Sequence, residues 1–189
     1  IKSRVFFKII HKCSVAAEDQ VKFPFQQHSR KLVGTIFYKF QAEYPLIVVV
    51  NGSNTAALNY EPYFERLASC GFVVVGNDDR QAGTGISTAL TLAYMLEQNQ
   101  NSDSLFYEKM DVQNIGIAGY SQGGVGAVRA VTECENSGLY KTIFTGSAAH
   151  SYLAKMWGGY DASKVSIPWF MNAAAGTSDD TGAMDAATE

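Results

Sequence analysis

The sequence predicts a single α/β domain, spanning residues 1–189, with a doubly wound and mostly parallel sheet. Three observations support this fold class: strand-length apolar runs, amphipathic helical segments between them, and the alternation of the two after a pair of leading strands. A chain of 189 residues, of which 47% are hydrophobic, has the usual size of one domain and can bury a core. In such a sheet, ligands bind beyond the carboxyl ends of the strands.

Two leading segments, residues 4–10 and 31–40, are rich in β-branched and aromatic residues without helical spacing. We expect them to form an opening antiparallel pair. Pro45 then introduces a continuous apolar run, residues 46–50, which is typical of a parallel strand covered on both faces. This predicted strand ends at Asn51-Gly52-Ser53-Asn54.

Helices and further strands alternate along the rest of the chain. Residues 60–70 carry apolar side chains at helical spacing, and Gly71 follows as a C-terminal stop. Residues 86–99 predict a second helix after the flexible Gly83-Thr84-Gly85. The remaining predicted strands cover residues 72–76, 112–118, 142–145 and 167–174.

The segment Gly119-Tyr120-Ser121-Gln122-Gly123 is the most informative motif of the chain. It joins the predicted strand 112–118 directly to a helical pattern over residues 124–131. A serine that attacks a carbonyl must stand out from the backbone on a sharp strand-to-helix turn, and its flanking residues must have almost no side chain. The motif therefore predicts a nucleophile elbow with Ser121 as the catalytic nucleophile.

The alternative to an elbow is a glycine-rich turn with a structural or phosphate-binding role. A dinucleotide-binding fingerprint needs the spacing G-x-G-x-x-G after the first strand of a βαβ unit. This segment has a different spacing and lies in the middle of the chain. The context therefore favours the nucleophile.

On these residues, the chain resembles the α/β-hydrolase superfamily, and within it the lidless dienelactone-hydrolase-like branch that includes chlorophyllase-like and polyester-hydrolase-like enzymes. The resemblance covers nearly the whole chain. Besides the elbow, it rests on the strand end 48–52, the helix-to-strand join 67–75 and the segment Ile167-Pro168-Trp169. It implies a serine hydrolase that cleaves carboxylic esters through an acyl-enzyme. A catalytically silent binding module and an acyltransferase using the same serine are the alternatives.

The resemblance also implies the partners of Ser121. In this fold, one oxyanion N–H belongs to the residue after the nucleophile, here Gln122, and the second to the loop after the early parallel strand, where Ser53 matches. The triad acid follows the nucleophile in the chain. Asp179 and Asp180 are the candidates, and Asp179 is slightly favoured because it is nearer the end of the last predicted strand.

The general base is missing from the expected place, because no histidine follows Asp180. His11 and His28 belong to the leading strands and their connection, where surface roles are expected. His150 is an alternative base, although its position departs from the usual triad order. The resemblance implies that the base, a last strand and a helix follow Glu189, whereas an inactive family member is the other interpretation.

The substrate side of the site is predicted from the same loops. Residues 146–166 are too few for the helical cap of many lipases, so we expect an open site. Its predicted substrate-binding residues are Gly52, Tyr120, His150 and Trp157. Large aromatic residues in a loop also cover the core beneath, which is the alternative role of Trp157. The expected substrate is an ester with a modest acyl group or an accessible polyester chain, and no metal or organic cofactor is required.

Charge and composition argue against several other classes. The net charge is −3 and basic runs are absent, so the sequence has no electrostatic footprint for nucleic acid. No apolar stretch reaches the length of a membrane span. Cys13, Cys70 and Cys134 have irregular spacing without a C-x-x-C pair, which argues against a zinc site or a full disulfide framework. The compartment and the oligomeric state stay open.

Overall fold

The computed structural model describes residues 5–8, 25–27, 30–35, 43–149 and 151–173. Within these residues the strands are β1 (Val5–Lys8), β2 (Phe25–Gln27), β3 (Arg30–Thr35), β4 (Tyr44–Val50), β5 (Val73–Asn77), β6 (Met110–Tyr120), β7 (Tyr140–Gly146) and β8 (Trp169–Asn172). The helices are α1 (Glu61–Ser69), α2 (Ile86–Gln100), α3 (Gln122–Thr132) and the short α4 (Ser151–Ala154). Each predicted helix and strand from residue 44 onward corresponds to one of these elements, within a few residues at its ends.

The described strands form one sheet in the order β2-β3-β1-β5-β4-β6-β7-β8. From β5 to β8 every neighbouring pair is parallel. The leading strands lie beside β5, and β1 runs antiparallel to it. The prediction of a doubly wound, mostly parallel sheet is therefore confirmed.

The pairing within the leading strands differs from the expectation. Residues 4–10 and 31–40 were expected to pair antiparallel, but β1 and β3 lie side by side in parallel. The antiparallel partner of β3 is β2, which precedes it by two residues in the sequence. Residues 9–29 separate β1 from β3, and a connection of this length allows parallel pairing, which a two-residue hairpin does not.

Helices cover both faces of the central sheet, which is what doubly wound means. On one face, Phe64 and Ala68 of α1 pack with Val49 and Val74. On the other face, helices α2 and α3 bury the main core. That core contains Val48, Val50, Val75, Leu92, Met95, Ala127 and Val128. Alternate residues of the run 46–50 thus meet different helices, and this explains why the run is apolar without interruption.

The parallel arrangement brings the loops after β4, β5, β6 and β7 to one edge of the sheet. These loops begin at Asn51, Asp78, Ser121 and Ser147. Among the described residues, no helix combines the length and apolar character that crossing a membrane requires.

Candidate active site

Ser121 occupies a sharp turn between β6 and α3. Its backbone torsions are φ 53° and ψ −120°, a conformation that costs free energy in a residue with a side chain. The Ser121 N–H donates to the Gly146 carbonyl oxygen at 2.9 Å, and the Ser121 carbonyl accepts from the Gly124 N–H at 2.9 Å. The turn is therefore held by the neighbouring strand β7 and by the first turn of α3.

Two glycines allow this turn to form. A Cβ atom at Gly119 would overlap the Gly123 carbonyl oxygen, and one at Gly123 would overlap the Val50 carbonyl oxygen. Both positions are close approaches of backbone to backbone, so a shift of a flexible side chain would not relieve them. The flanking glycines that the sequence pointed to are thus required by packing around Ser121.

The amino end of α3 lies directly after Ser121. Gln122 and Gly123 begin the helix and are buried. The first N–H groups of a helix lack partners inside it and attract negative charge. The position next to Ser121 therefore suits an oxyanion.

The loop after β4 lies beside the same turn. A Cβ atom at Gly52 would be 3.1 Å from a ring carbon of Tyr120 and 3.3 Å from the Tyr120 carbonyl oxygen. The Gly52 N–H is already used, because it donates to the Tyr60 hydroxyl at 2.9 Å. Ser53 is exposed, and no acceptor for its N–H lies among the described residues. Of these two N–H groups, that of Ser53 is the one left for a ligand.

Tyr120 projects over this edge of the sheet, with 52% of its surface exposed. Its ring approaches Gly52 on one side and Gly146 on the other, where a Cβ atom would be 3.5 Å from the ring. Because both neighbours lack side chains, the aromatic face stays open. The predicted contact of Tyr120 with substrate stays a prediction.

The side chain of Gln122 belongs to a buried polar cluster that sequence reasoning did not identify. Gln122 is 1% exposed, and its carboxamide lies 3.2 Å from the Arg80 carbonyl oxygen and 3.2 Å from the Gln81 side chain. It also meets the indole Nε1 of Trp157. An indole N–H only donates and a carbonyl only accepts, so Gln122 Oε1 faces Trp157 and Nε2 faces Arg80.

Trp157 is held from a second direction. The Arg129 guanidinium donates to the Trp157 carbonyl oxygen and pairs with Glu133 at 3.0 Å. Gln122 and Arg129 are seven residues apart on α3, so they lie on the same face of the helix. The indole also covers Gly83, where a Cβ atom would be 2.6 Å from the ring. Trp157 is thus half-buried at the rim of the site, and its predicted contact with substrate stays a prediction.

A second set of hydrogen bonds joins the loop after β4 to the loop after β5. Asn51 is 1% exposed, and its Nδ2 donates to the Asp79 carbonyl oxygen at 2.9 Å. The Asn54 N–H donates to the Arg80 carbonyl oxygen at 3.1 Å, and the Arg80 guanidinium donates back to Asn54 Oδ1 at 3.2 Å. These bonds fix the segment on either side of Ser53.

The remaining predicted residues cannot be placed. His150, Asp179 and Asp180 lie outside the described residues, as do His11 and His28. The roles of Asp179 or Asp180 as the acid and of His150 at the site stay predictions. Within the part of the chain that is described, no group of three His, Cys, Asp or Glu side chains is arranged to hold a metal ion.

The signals for the missed contacts were present but weak. Gln122 is the single polar residue at the start of the helical run Gln122–Val128, where every other side chain is small or apolar. A carboxamide at such a position needs a buried partner. The partners lie 41 and 35 positions away at Gln81 and Trp157, so no local pattern identifies them.

A mostly parallel, doubly wound sheet with a serine on the turn after a central strand defines the α/β-hydrolase class of folds. The chain belongs to the PETase family, described as PET hydrolase-like, whose family model matches residues 21–143, and this family is part of the α/β-hydrolase superfamily. The match confirms the resemblance noted from the sequence and identifies the protein as a hydrolase in general. A comparison with curated proteins gives no match.

Proposed function

We propose that this protein is a serine hydrolase that cleaves carboxylic esters through an acyl-enzyme on Ser121. The observation that carries the proposal is the strained backbone of Ser121, with φ 53°, at the junction of β6 and α3. Such strain persists where the surrounding structure enforces it, and it is concentrated at functional sites. Membership of a hydrolase family gives the turn its chemical context.

The proposed reaction has two halves. Ser121 Oγ bonds to the ester carbonyl carbon, its proton passes to a base, and the carbonyl electron pair moves onto oxygen. The N–H groups of Gln122 and Ser53 stabilise this oxyanion. Collapse of the intermediate expels the alcohol, which takes the proton. Water then attacks the acyl-enzyme in the same way and releases the acid and free Ser121.

The base and the acid that orients it complete the proposal. A histidine is the side chain whose pKa suits proton transfer near neutral pH. All three histidines of the sequence lie outside the described residues, and the proposal assigns the role to none of them. Asp179 or Asp180 is proposed as the acid, because both follow β8 closely in the chain.

The proposed substrate is an ester with a modest acyl group or an accessible polyester chain. Two observations support an open site: Tyr120 is half-exposed between Gly52 and Gly146, and the helices in the described residues between β7 and β8 are only three or four residues long. An exposed aromatic ring offers a flat apolar surface to an acyl or aromatic group. The family description, PET hydrolase-like, fits a polymeric ester. We also propose that residues 1–189 belong to one domain.

Labelling with a fluorophosphonate tests the nucleophile in the full-length protein. We expect one stable adduct on Ser121, and both the adduct and hydrolysis of p-nitrophenyl butyrate are lost in Ser121→Ala. Ser69→Ala is the matched control, since Ser69 is exposed on α1 and its hydroxyl donates only to the Arg66 carbonyl oxygen. A protein that binds the ester without Ser121-dependent labelling would instead be a silent binding module.

Hydrolysis and acyl transfer are separated by an acceptor experiment. Adding a primary alcohol leaves a hydrolase producing mainly free acid, whereas an acyltransferase makes mainly the new ester. Comparing p-nitrophenyl butyrate with p-nitrophenyl palmitate and with a polyester film then defines the acyl group. We expect the short ester and the film to be cleaved and the long ester to be poor.

A further inference from the structure

We propose that Gln122 has a role besides that of its backbone N–H. Its side chain is a positioning group that sets the distance between the two oxyanion donors. The inference rests on the proposed function, which assigns those donors to the N–H groups of Gln122 and Ser53. Its structural element is the segment Asp79-Arg80-Gln81, here called the donor bridge, because both donor loops are bonded to it.

The Arg80 carbonyl oxygen connects the loop that contains Ser53 with the side chain of Gln122. It accepts the Asn54 N–H at 3.1 Å, and it lies 3.2 Å from the Gln122 carboxamide. One oxygen atom thus joins the residue after Ser53 to the side chain of the residue after Ser121. Any movement of this oxygen changes the position of one donor relative to the other.

The other residues of the donor bridge reinforce the connection. The Asp79 carbonyl oxygen accepts from Asn51 Nδ2 at 2.9 Å, and the same Nδ2 donates to the Thr55 carbonyl oxygen at 3.0 Å. Ser53 therefore lies in a loop that is tied at both ends. On the opposite side, the Gln81 carboxamide lies 3.2 Å from Gln122 Oε1, and because an amide oxygen only accepts, the Gln81 NH2 group is the donor.

The chemistry of position 122 requires a carboxamide. The side chain must accept from the Trp157 indole and donate to the Arg80 carbonyl, and it is 1% exposed, so water cannot replace either partner readily. Methionine has a similar length but neither property. Glutamate keeps the acceptor and places a charge against the Arg80 carbonyl oxygen.

Loss of the carboxamide leaves the Trp157 N–H without its acceptor and leaves the Arg80 carbonyl oxygen with the Asn54 N–H as its remaining donor, so we expect the donor bridge to shift. A misplacement of about 1 Å near a reacting centre lowers a rate by about 100-fold. Since the oxyanion exists only after attack, the shift lowers kcat and leaves KM nearly unchanged.

The test compares Gln122→Met, Gln122→Glu and Trp157→Phe in the full-length protein, with p-nitrophenyl butyrate as substrate. We expect kcat to fall about 10- to 100-fold in the Gln122 variants, with KM within about twofold. Trp157→Phe keeps the ring over Gly83 and loses only the indole donor, so a smaller fall in kcat is expected. The tetrahedral adduct of n-butylboronic acid places an oxygen at the donors. In each variant, inhibition by this compound should weaken by about the same factor as kcat falls.

The matched control is Gln98→Met, which removes another buried carboxamide, on α2 and away from the loops. We expect unchanged kcat in this variant even where the melting temperature falls. Normal kcat and boronate affinity in folded Gln122→Met would overturn the positioning role and leave the proposed function intact. If Gln122→Met does not fold, normal kcat and boronate affinity in Gln122→Glu and Trp157→Phe would overturn the positioning role. An unaltered protein without Ser121-dependent turnover would overturn both proposals.

Discussion

The backbone N–H of Ser121 donates to the carbonyl oxygen of Gly146 at 2.9 Å, which ties the turn after β6 to the end of β7. The bond continues the parallel pairing of the two strands by one residue, since Tyr120 is the register partner of Gly146. The strained conformation of Ser121 is therefore supported by the sheet itself. A turn that depends on the sheet in this way should be sensitive to any change in its close backbone contacts.

Gly123→Ala is expected to destabilise the protein by about 3 kcal/mol, because the added methyl group would overlap the Val50 carbonyl oxygen inside the core. Urea unfolding followed by circular dichroism measures the change. Gly138→Ala is the matched control, since among the described residues no atom beyond its chain neighbours lies within 4 Å of a Cβ at that position. Equal unfolding midpoints for the two variants would contradict the packing explanation of the turn.

Two buried threonines on α2 give opposite expectations for the same substitution. The Thr91 hydroxyl accepts from Asn77 Nδ2 at 2.9 Å and donates to the Ser87 carbonyl oxygen, so Thr91→Val removes the acceptor of the buried Asn77 Nδ2. We expect a loss of about 1–3 kcal/mol. The Thr88 hydroxyl is buried and has no partner among the described residues, so Thr88→Val should be neutral or stabilising.

Thermal and urea unfolding of both valine variants checks this pair. Each substitution replaces a hydroxyl by a methyl group at a fully buried position, so changes in helix propensity are shared. The difference between the variants therefore reports the hydrogen bond to Asn77. A Thr88→Val variant less stable than Thr91→Val would show that the hydroxyl partners are assigned wrongly.

The parts of the fold that the sequence predicted are those encoded by local periodicity. The run 46–50, the helical spacing over 60–70 and the glycines around Ser121 each reflect burial within one element, and each lies where expected. The direction of the leading strands was predicted wrongly with respect to each other. Side-chain alternation is the same in parallel and antiparallel strands, so it carries no information on direction.

The site was predictable only where it depends on backbone. The turn at Ser121 and the loop at Ser53 follow from strand ends and glycines, and the structure brings Gly52 and Tyr120 together there. The polar contacts of Gln122 with Arg80 and Trp157 join three loops that are distant in the chain. Such contacts depend on the tertiary arrangement, and no spacing rule connects them.

The two described cysteines should differ in reactivity. Burial raises the pKa of the Cys134 thiol, more than the nearby Arg129 guanidinium lowers it, whereas Cys70 is exposed. Only the thiolate attacks a disulfide reagent, so Cys134 should react with DTNB more slowly than Cys70 at pH 8. Single-cysteine proteins, made by serine substitution of the other two cysteines, allow the rates to be compared directly.

The raised pKa of Cys134 also gives the sign of a pH effect on stability. The folded state favours the protonated thiol, so its contribution is complete below the ordinary thiol pKa and is lost as the pH rises through the folded-state pKa. Cys134→Ala should therefore lose less stability between pH 7 and 10 than the parent protein. A larger loss in the variant would contradict the assignment.

The last prediction concerns Tyr120, whose exposed ring lies between two glycines at the candidate site. We expect the ring to bind the acyl part of the substrate equally well in the ground state and in the transition state. Tyr120→Ala removes this uniform binding, which raises KM and leaves kcat nearly unchanged. An aromatic contact of about 1 kcal/mol corresponds to a KM about fivefold higher. Tyr120→Phe should behave like the parent protein, because the contact uses the ring face. Tyr107→Ala, which removes an exposed tyrosine just before the amino end of β6, should leave both constants unchanged. A fall in kcat alone would instead place Tyr120 among the groups that support the turn.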